Sequence, residues 1–225
     1  MLVMKNKKAV VLLSGGLDST TTLYYVMKKG FRPYCLIFNY GQRHKKEISS
    51  AVRIAKELGI KYYVLKINLP WKGSSLLDKS AKLPEYKKNR KIIPSTYVPA
   101  RNIIFLSIAT SLAEVIGAEY IFYGANQIDF SGYPDCTKEF VNQFQKTIEV
   151  GTKVGKYGKK IKISAPLLNY TKEDILKLAL KLKVPLHLTW SCYNGEKKPC
   201  GRCDACKIRQ NAFKKLNIKD PVYGA

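Results

Sequence analysis

The chain has 225 residues, of which 46% are hydrophobic and 25% charged, with a formal net charge of +24. This composition excludes a disordered chain, and no apolar run reaches the length of a membrane span. It suits one large domain, or a domain with a small appendage, that buries a core of its own. The positive charge is spread along the chain. Residues 151–225 hold 17 Lys+Arg against 5 Asp+Glu, a surplus of 12, and the first 150 residues carry the other 12. With no basic tail and no nucleic-acid module in view, the charge reads as a lysine-rich surface that keeps the protein soluble and attracts anionic nucleotides. No direct nucleic-acid partner and no membrane are expected. The N-terminal apolar run leads into Ser14-Gly15-Gly16, where a signal peptide would need a cleavage site, so a cytoplasmic location is expected.

Lys8 to Leu13 is a short run rich in β-branched residues and predicts a buried parallel strand. Ser14-Gly15-Gly16 breaks it, and Asp18 to Lys29 predicts a helix that ends at Gly30. Tyr34 to Phe38 is a second strand. Lys45 to Leu58 is a second helix, with Ile48, Ala51, Val52, Ala55 and Leu58 on one face. Lys61 to Ile67 is a third strand. This β-α-β-α-β order predicts an α/β, doubly wound, five-stranded parallel sheet once the later strands are added. Residues 68–98, with Pro70, Pro84 and Pro94, form a long loop of the kind used for lids or interface arms. Pro99 is expected at the first turn of a helix running to Ile116. Tyr120–Tyr123 and Ile161–Ser164 are the remaining strands, and Cys136 to Val150 is helical. Thr171 caps a further helix, with Asp174 placed to complete a capping box. The expected division is an α/β domain over 1–186 and a cysteine-bearing segment over 187–225.

The turn Ser14-Gly15-Gly16-Leu17-Asp18-Ser19 follows a strand and opens a helix, the context in which a glycine-rich turn binds phosphate. The glycines let the backbone approach an anion, Ser14 and Ser19 offer hydroxyls, and the helix N-terminus adds free N–H groups and a positive dipole end. Asp18 could cap the helix or hold Mg²⁺ against phosphates. The nucleotide segment is expected to run from Leu13 to Leu23, including Thr20, Thr21 and Thr22. No Gly-Lys-Ser/Thr follows, and G-x-G-x-x-G spacing is absent, so this is neither a Walker A loop nor a dinucleotide fingerprint.

Cys200, Cys203 and Cys206 have C-x₂-C-x₂-C spacing, with Cys192 upstream. Four thiolates suit a closed tetrahedral zinc site. An iron–sulfur cluster also uses thiolates, but bacterial ferredoxin runs put the fourth cysteine downstream. Lys197, Lys198, Arg202, Lys207 and Arg209 would offset the charge of such a site.

Ser-Gly-Gly-Leu-Asp-Ser-Thr resembles the pyrophosphate loop of the N-type ATP pyrophosphatases. The resemblance implies cleavage of ATP between its α and β phosphates and transfer of AMP to a substrate oxygen. Further polar clusters sit where strands should end: Asn39 to Glu47, Tyr97 to Asn102, Gly124 to Cys136, and Thr189 to Tyr193. Together with the cysteines, and above all with the Ser131-to-Cys136 stretch, they resemble the 7-cyano-7-deazaguanine synthases over nearly the whole chain. The resemblance implies conversion of 7-carboxy-7-deazaguanine, ammonia and ATP into a nitrile that feeds queuosine or archaeosine, in a homodimer.

That chemistry needs two activations, of an acid and then of its amide. Both depend on positioning and charge stabilisation rather than on a protein nucleophile. Asp18 is expected to hold Mg²⁺, and Lys172 to contact phosphate. Arg101 or Arg43 would neutralise the substrate carboxylate, since guanidinium pairs with it through two bonds. Asp129 or Asp135 would accept from the guanine-like edge, and Tyr40, Phe130 or Tyr133 would stack on the ring. Gln42, Asn102 and Asn126 are further candidate contacts. Cys136 looks like an exposed loop thiol for which the mechanism has no need. His44 and His187 read as structural or phosphate-neighbouring rather than as catalytic bases.

Overall fold

The central strand β1 (Lys8–Leu12) sorts its side chains by the two-residue period of a strand, so both of its faces are buried. Val10 and Leu12 enter one core, while Ala9 and Val11 enter another on the opposite face. β2 (Arg32–Asn39) repeats the pattern, with Leu36 and Phe38 on the first face and Cys35 and Ile37 on the second. In the computed structural model, which describes residues 6–71, 73–78, 80–84, 93–126, 133–194 and 198–223, these strands belong to one five-stranded sheet. β3 (Tyr62–Lys66), β4 (Tyr120–Phe122) and β5 (Lys162–Ser164) complete it in the order β3-β2-β1-β4-β5, with every pair parallel. The fold class expected from the sequence is therefore the one observed.

Helix α1 (Leu17–Lys28) and helix α2 (Lys46–Glu57) cover the second face through Leu23, Val26, Ala51, Ile54 and Ala55. Ile54 carries more of this contact than the periodicity suggested, while Ile48, Val52 and Leu58 are only partly buried. The first face is covered by α3 (Arg101–Ile116), through Phe105, Leu106, Ala109 and Ala113, and by α4 (Lys138–Gly151). The four-residue α5 (Lys153–Lys156) links α4 to β5. Helices α6 (Lys172–Lys181) and α7 (Asp204–Lys215) share a third core, in which Ile175, Leu176, Ala212 and Phe213 pack with Leu17 of α1. The capping box at the start of α6 is present, with Thr171 and Asp174 bonding each other's backbone N–H.

Three local expectations need correction. Helix α3 begins at Arg101, not Pro99, and the residue before it, Ala100, has φ +54°. Its N-terminus is satisfied from a distance, because the Asn102 N–H donates to Asp135 Oδ2 at 3.0 Å. That remote cap fixes the helix start where a local proline rule would put it earlier. Asp18 does not cap α1: the N-cap position is Gly16, and no side-chain capping bond is made there. The helix expected from Cys136 is a 3₁₀ turn at Pro134–Cys136, followed by α4 with Thr137 as its cap. No helix among the described residues is long and apolar enough to cross a membrane.

Candidate active site

The C-terminal ends of β1, β2 and β4 open onto a cavity of about 300 Å³. This is the place where open parallel sheets bind ligands, and the size suits a small organic molecule. From the expected nucleotide segment, Leu13, Ser14, Gly16, Leu17, Asp18 and Ser19 line it. Thr20, Thr21 and Thr22 do not. Their hydroxyls turn back to the carbonyls of Gly16, Leu17 and Asp18 at 2.7, 2.7 and 2.9 Å, and all three are fully buried. Leu23 belongs to the second core.

The loop is held open by its own serines. The hydroxyls of Ser14 and Ser19 are 2.9 Å apart, and Gly16 N–H donates to the Ser14 hydroxyl at 3.3 Å. Gly15, at φ +84°, turns the chain against the backbone of α2. Its carbonyl accepts from Trp190 N–H at 2.9 Å, which ties the loop to the segment leading to Cys192. Gly124 is packed almost as tightly: a Cβ there would lie 3.0 Å from Ser19 N.

Asp18 and Lys172 meet in the cavity, 154 residues apart in sequence. The Lys172 amine donates to both carboxylate oxygens of Asp18, at 2.9 and 2.7 Å. The two residues singled out for phosphate chemistry are thus brought together at the mouth of the loop.

The proposed substrate contacts separate into two groups. Tyr40, Gln42, Arg101, Asn102, Asn126 and Tyr133 line the cavity. Arg43 and Asp135 do not. Arg43 faces the 74–84 segment, where its guanidinium donates to the Asp78 carbonyl at 2.9 Å and to the Ala81 carbonyl at 2.5 Å. Asp135 is buried and spends one carboxylate oxygen on the α3 N-terminus. Gln42 has its side-chain amide engaged by its own turn, accepting from Tyr40 N–H at 2.9 Å and donating to the Phe38 carbonyl at 3.1 Å. Asp129 and Phe130 lie outside the described residues.

Arg101 supplies a positive charge to this wall. Burial disfavours the charged guanidinium, but Tyr40, Tyr133 and Asp135 more than offset that, and its pKa is raised. Burial also raises the hydroxyl pKa values of Tyr40, Tyr123, Tyr133 and Tyr193, so these tyrosines stay protonated and can donate. Tyr133 and Thr96 share a hydrogen bond of 2.9 Å. Cys136 is not an exposed loop thiol. It is 7% exposed, takes a hydrogen bond from the Asn102 amide at 3.3 Å, and burial pushes its pKa up to about 12. Such a thiol is neutral and a poor nucleophile at neutral pH.

Cys192, Cys200, Cys203 and Cys206 converge, with all four sulfurs within 4.8 Å of one another. Tetrahedral zinc with Zn–S bonds of roughly 2.3 Å sets its sulfurs about 3.8 Å apart, and Cys200 Sγ and Cys206 Sγ are 3.9 Å apart. The donor set and its spacing fit the ion. Arg209, expected to balance the thiolate charge, is instead buried against Asp220, with bonds of 2.6 and 2.9 Å. It also donates to the Thr189 hydroxyl at 2.7 Å and to the Leu186 carbonyl at 3.1 Å. Arg209, Glu47 and Tyr123 line the cavity without having been singled out for it. Glu47, in the polar cluster after the second strand, and Tyr123, at the end of a predicted strand, carry a positional signal for the cavity; Arg209 carries none.

A model of the family described as queuosine biosynthesis protein QueC matches residues 8–217. The chain belongs to the QueC family. Curated QueC relatives include the 7-cyano-7-deazaguanine synthase of Clostridium kluyveri, 51% identical over 96% of this chain and 97% of that protein. The 7-cyano-7-deazaguanine synthase of Acetivibrio thermocellus is 50% identical over 96% and 97%. The name describes a carbon–nitrogen ligase. Among solved structures, a predicted subunit of tRNA methyltransferase from Methanocaldococcus jannaschii aligns with a TM-score of 0.51 at 18% identity, over 97% of this chain and 92% of that one. A 4-thiouridine synthetase in complex with RNA and ATP aligns with a TM-score of 0.50 at 20% identity, over 92% and 53%. These two likenesses show the fold alone, an open parallel α/β sheet.

Proposed function

We propose that this chain is a 7-cyano-7-deazaguanine synthase that joins 7-carboxy-7-deazaguanine and ammonia at the cost of ATP, through an adenylated acid and then an adenylated amide. Pyrophosphate leaves at each activation, and AMP leaves in the step that follows it. The observation that carries the reading is a single cavity in which the phosphate loop faces Arg101 and a cluster of protonated tyrosines.

A carboxylate is a poor electrophile, so the first task is to replace its oxygen by a good leaving group. The backbone N–H groups around Ser14–Ser19 and the N-terminal end of α1 hold the phosphates. Arg101 pairs with the substrate carboxylate through two bonds and orients it for attack on the α-phosphate. Tyr40 and Tyr133 flank the ring. Lys172 leaves Asp18 for the departing pyrophosphate. Asp18 is then the residue that would hold the Mg²⁺ of ATP, an ion that supplies charge neutralisation when bound. Cys192, Cys200, Cys203 and Cys206 would hold a structural Zn²⁺.

The reading also carries a division near residue 186, a homodimer, a cytoplasmic location, and a product used for queuosine or archaeosine. The exposed Val64 and Leu65 of the edge strand β3, with Trp71 after it, support a self-associating surface. The test is incubation with ATP, Mg²⁺, ammonium and the carboxy-deazaguanine, followed by mass spectrometry. Formation of the nitrile with release of AMP is expected. Release of AMP only when tRNA is added, with no nitrile, would refute the reading.

A further inference from the structure

One wall of the cavity carries a negative charge that phosphate binding does not ask for. Glu47 lies in the first turn of α2, and its Oε1 is 3.9 Å from where a Cβ on Gly16 would be. A carboxylate this close to the phosphate loop repels a bound anion unless a cation stands with it. Beside it lies His44, 3% exposed and also lining the cavity. Its Nδ1 is 3.4 Å from Glu47 Oε2, yet it is buried with no hydrogen-bond partner. An unsatisfied buried nitrogen costs about 1–3 kcal/mol, which a bound donor would recover. The His44 ring stacks on Tyr193 with centroids 6.2 Å apart, and Tyr40 lines the same cavity as Glu47. Aromatic walls and a carboxylate favour a small cation. The Trp190 ring on the same wall already takes the Lys46 ammonium at 4.1 Å.

We infer that Glu47 and His44 form an ammonium site, in which Glu47 holds the cation and His44 takes a proton from it to release ammonia beside the phosphate loop. The inference rests on the ligase reading above and adds what that reading lacks. Ammonia in neutral water is almost wholly ammonium, which has no lone pair with which to attack. The ammonium ion gives one proton to the His44 imidazole. The freed lone pair forms a C–N bond to the acyl carbon of the adenylate. The C–O bond to AMP breaks, and its electron pair leaves on the phosphate oxygen. A proton of the new C–NH₃⁺ group passes to Glu47, and both side chains return their protons to water. A base of this kind contributes roughly 10²-fold or more to such a step.

Hydroxylamine separates this role from a structural one, because it is already unprotonated at neutral pH and attacks acyl-adenylates directly to give a hydroxamate. The experiment compares amide and nitrile formed from ammonium with hydroxamate formed from hydroxylamine, in the wild type, His44→Asn and Glu47→Gln. The expected result is a ratio of ammonium-dependent to hydroxylamine-dependent turnover that falls about 100-fold in His44→Asn, with a raised KM for ammonium in Glu47→Gln. A variant that folds poorly loses both activities together and leaves the ratio at the wild-type value. An unchanged ratio in a His44→Asn variant that keeps its hydroxylamine-dependent turnover, with an unchanged ammonium KM in Glu47→Gln, overturns the inference. A wild type that forms neither hydroxamate nor amide overturns the ligase reading and this inference with it, and that outcome is distinct from an unchanged ratio.

Discussion

Replacing Gly15 by alanine tests how firmly the phosphate loop is held against the second helix. The backbone there has φ +84°, which costs an L-residue about 1–2 kcal/mol. The added methyl group also has nowhere to go. Its carbon would overlap the Glu47 carbonyl oxygen and lie 2.6 Å from Ala51 N and 2.9 Å from Ser50 Cβ. Two of these three atoms are α2 backbone, so relief requires the loop or the helix to move, at about 1–3 kcal/mol by analogy with overpacked cores. Gly117 is the control. It follows α3 with φ +66° and has nothing within 4 Å of its absent Cβ, so alanine there meets only the first cost. Gly15→Ala is therefore expected to destabilise by about 2–5 kcal/mol, and to exceed Gly117→Ala by about 1–3 kcal/mol. Urea denaturation of both variants measures the difference, and thermal melting should separate their Tm values by about 2–12 °C at this chain length. ATP affinity, followed by calorimetry, should fall for Gly15→Ala alone. Equal destabilisation of the two variants would refute the packing argument and leave only the backbone conformation.

Arg101→Lys and Arg43→Lys should part in kinetics and stability. The first loses the planar fork that meets the carboxylate and is expected to raise the KM for the carboxy-deazaguanine roughly 10–100-fold. The second leaves that KM alone and lowers stability by about 1–3 kcal/mol, because the bonds to Asp78 and Ala81 are lost. Cys203→Ser is expected to reduce bound zinc from about one ion per chain to a small fraction, and to lower Tm, since metal binding here is also folding energy. Elemental analysis and the visible spectrum measure the first effect; a brown protein that contains iron would overturn the zinc assignment.

The sheet was legible because its signal is local. Val10, Val11, Leu36 and Ile37 sit in runs that only a strand buried on both faces explains, and the Gly15-Gly16 break follows directly. Side-chain partnerships were not legible in the same way. Nothing near Asp18 announces Lys172, because the pair forms only when α6 packs on α1. The start of α3 is not legible locally because the cap that decides it belongs to Asp135, 33 residues further on. Arg43 and Gln42 sit in a motif that looks functional throughout, yet their side chains serve the backbone of their own and a neighbouring loop. Cys136 follows no local exposure rule for loops, because the turn carrying it is pressed under the start of α3. Polar residues in a functional loop therefore divide between ligand and scaffold, and only the fold tells which is which.

The cysteine centre acquires a physical connection to the nucleotide from the segment between them. Cys203 and Cys206 lie at the start of α7, and one turn further on Arg209 clamps the Thr189 hydroxyl and the Leu186 carbonyl. The next residue, Trp190, donates its backbone N–H to Gly15 and its indole N–H to the Cys192 carbonyl at 3.0 Å. The Ser50 hydroxyl of α2 closes the arrangement on the Leu188 carbonyl. Four thiols on two chain segments need something to bring them together, and the Gly15 carbonyl needs a donor at a turn where the helix supplies none. One strap of residues, 186–192, meets both needs. A metal at the cysteines would fix its far end, so the phosphate loop sits between a rigid helix and an anchored strap rather than at a free edge of the sheet.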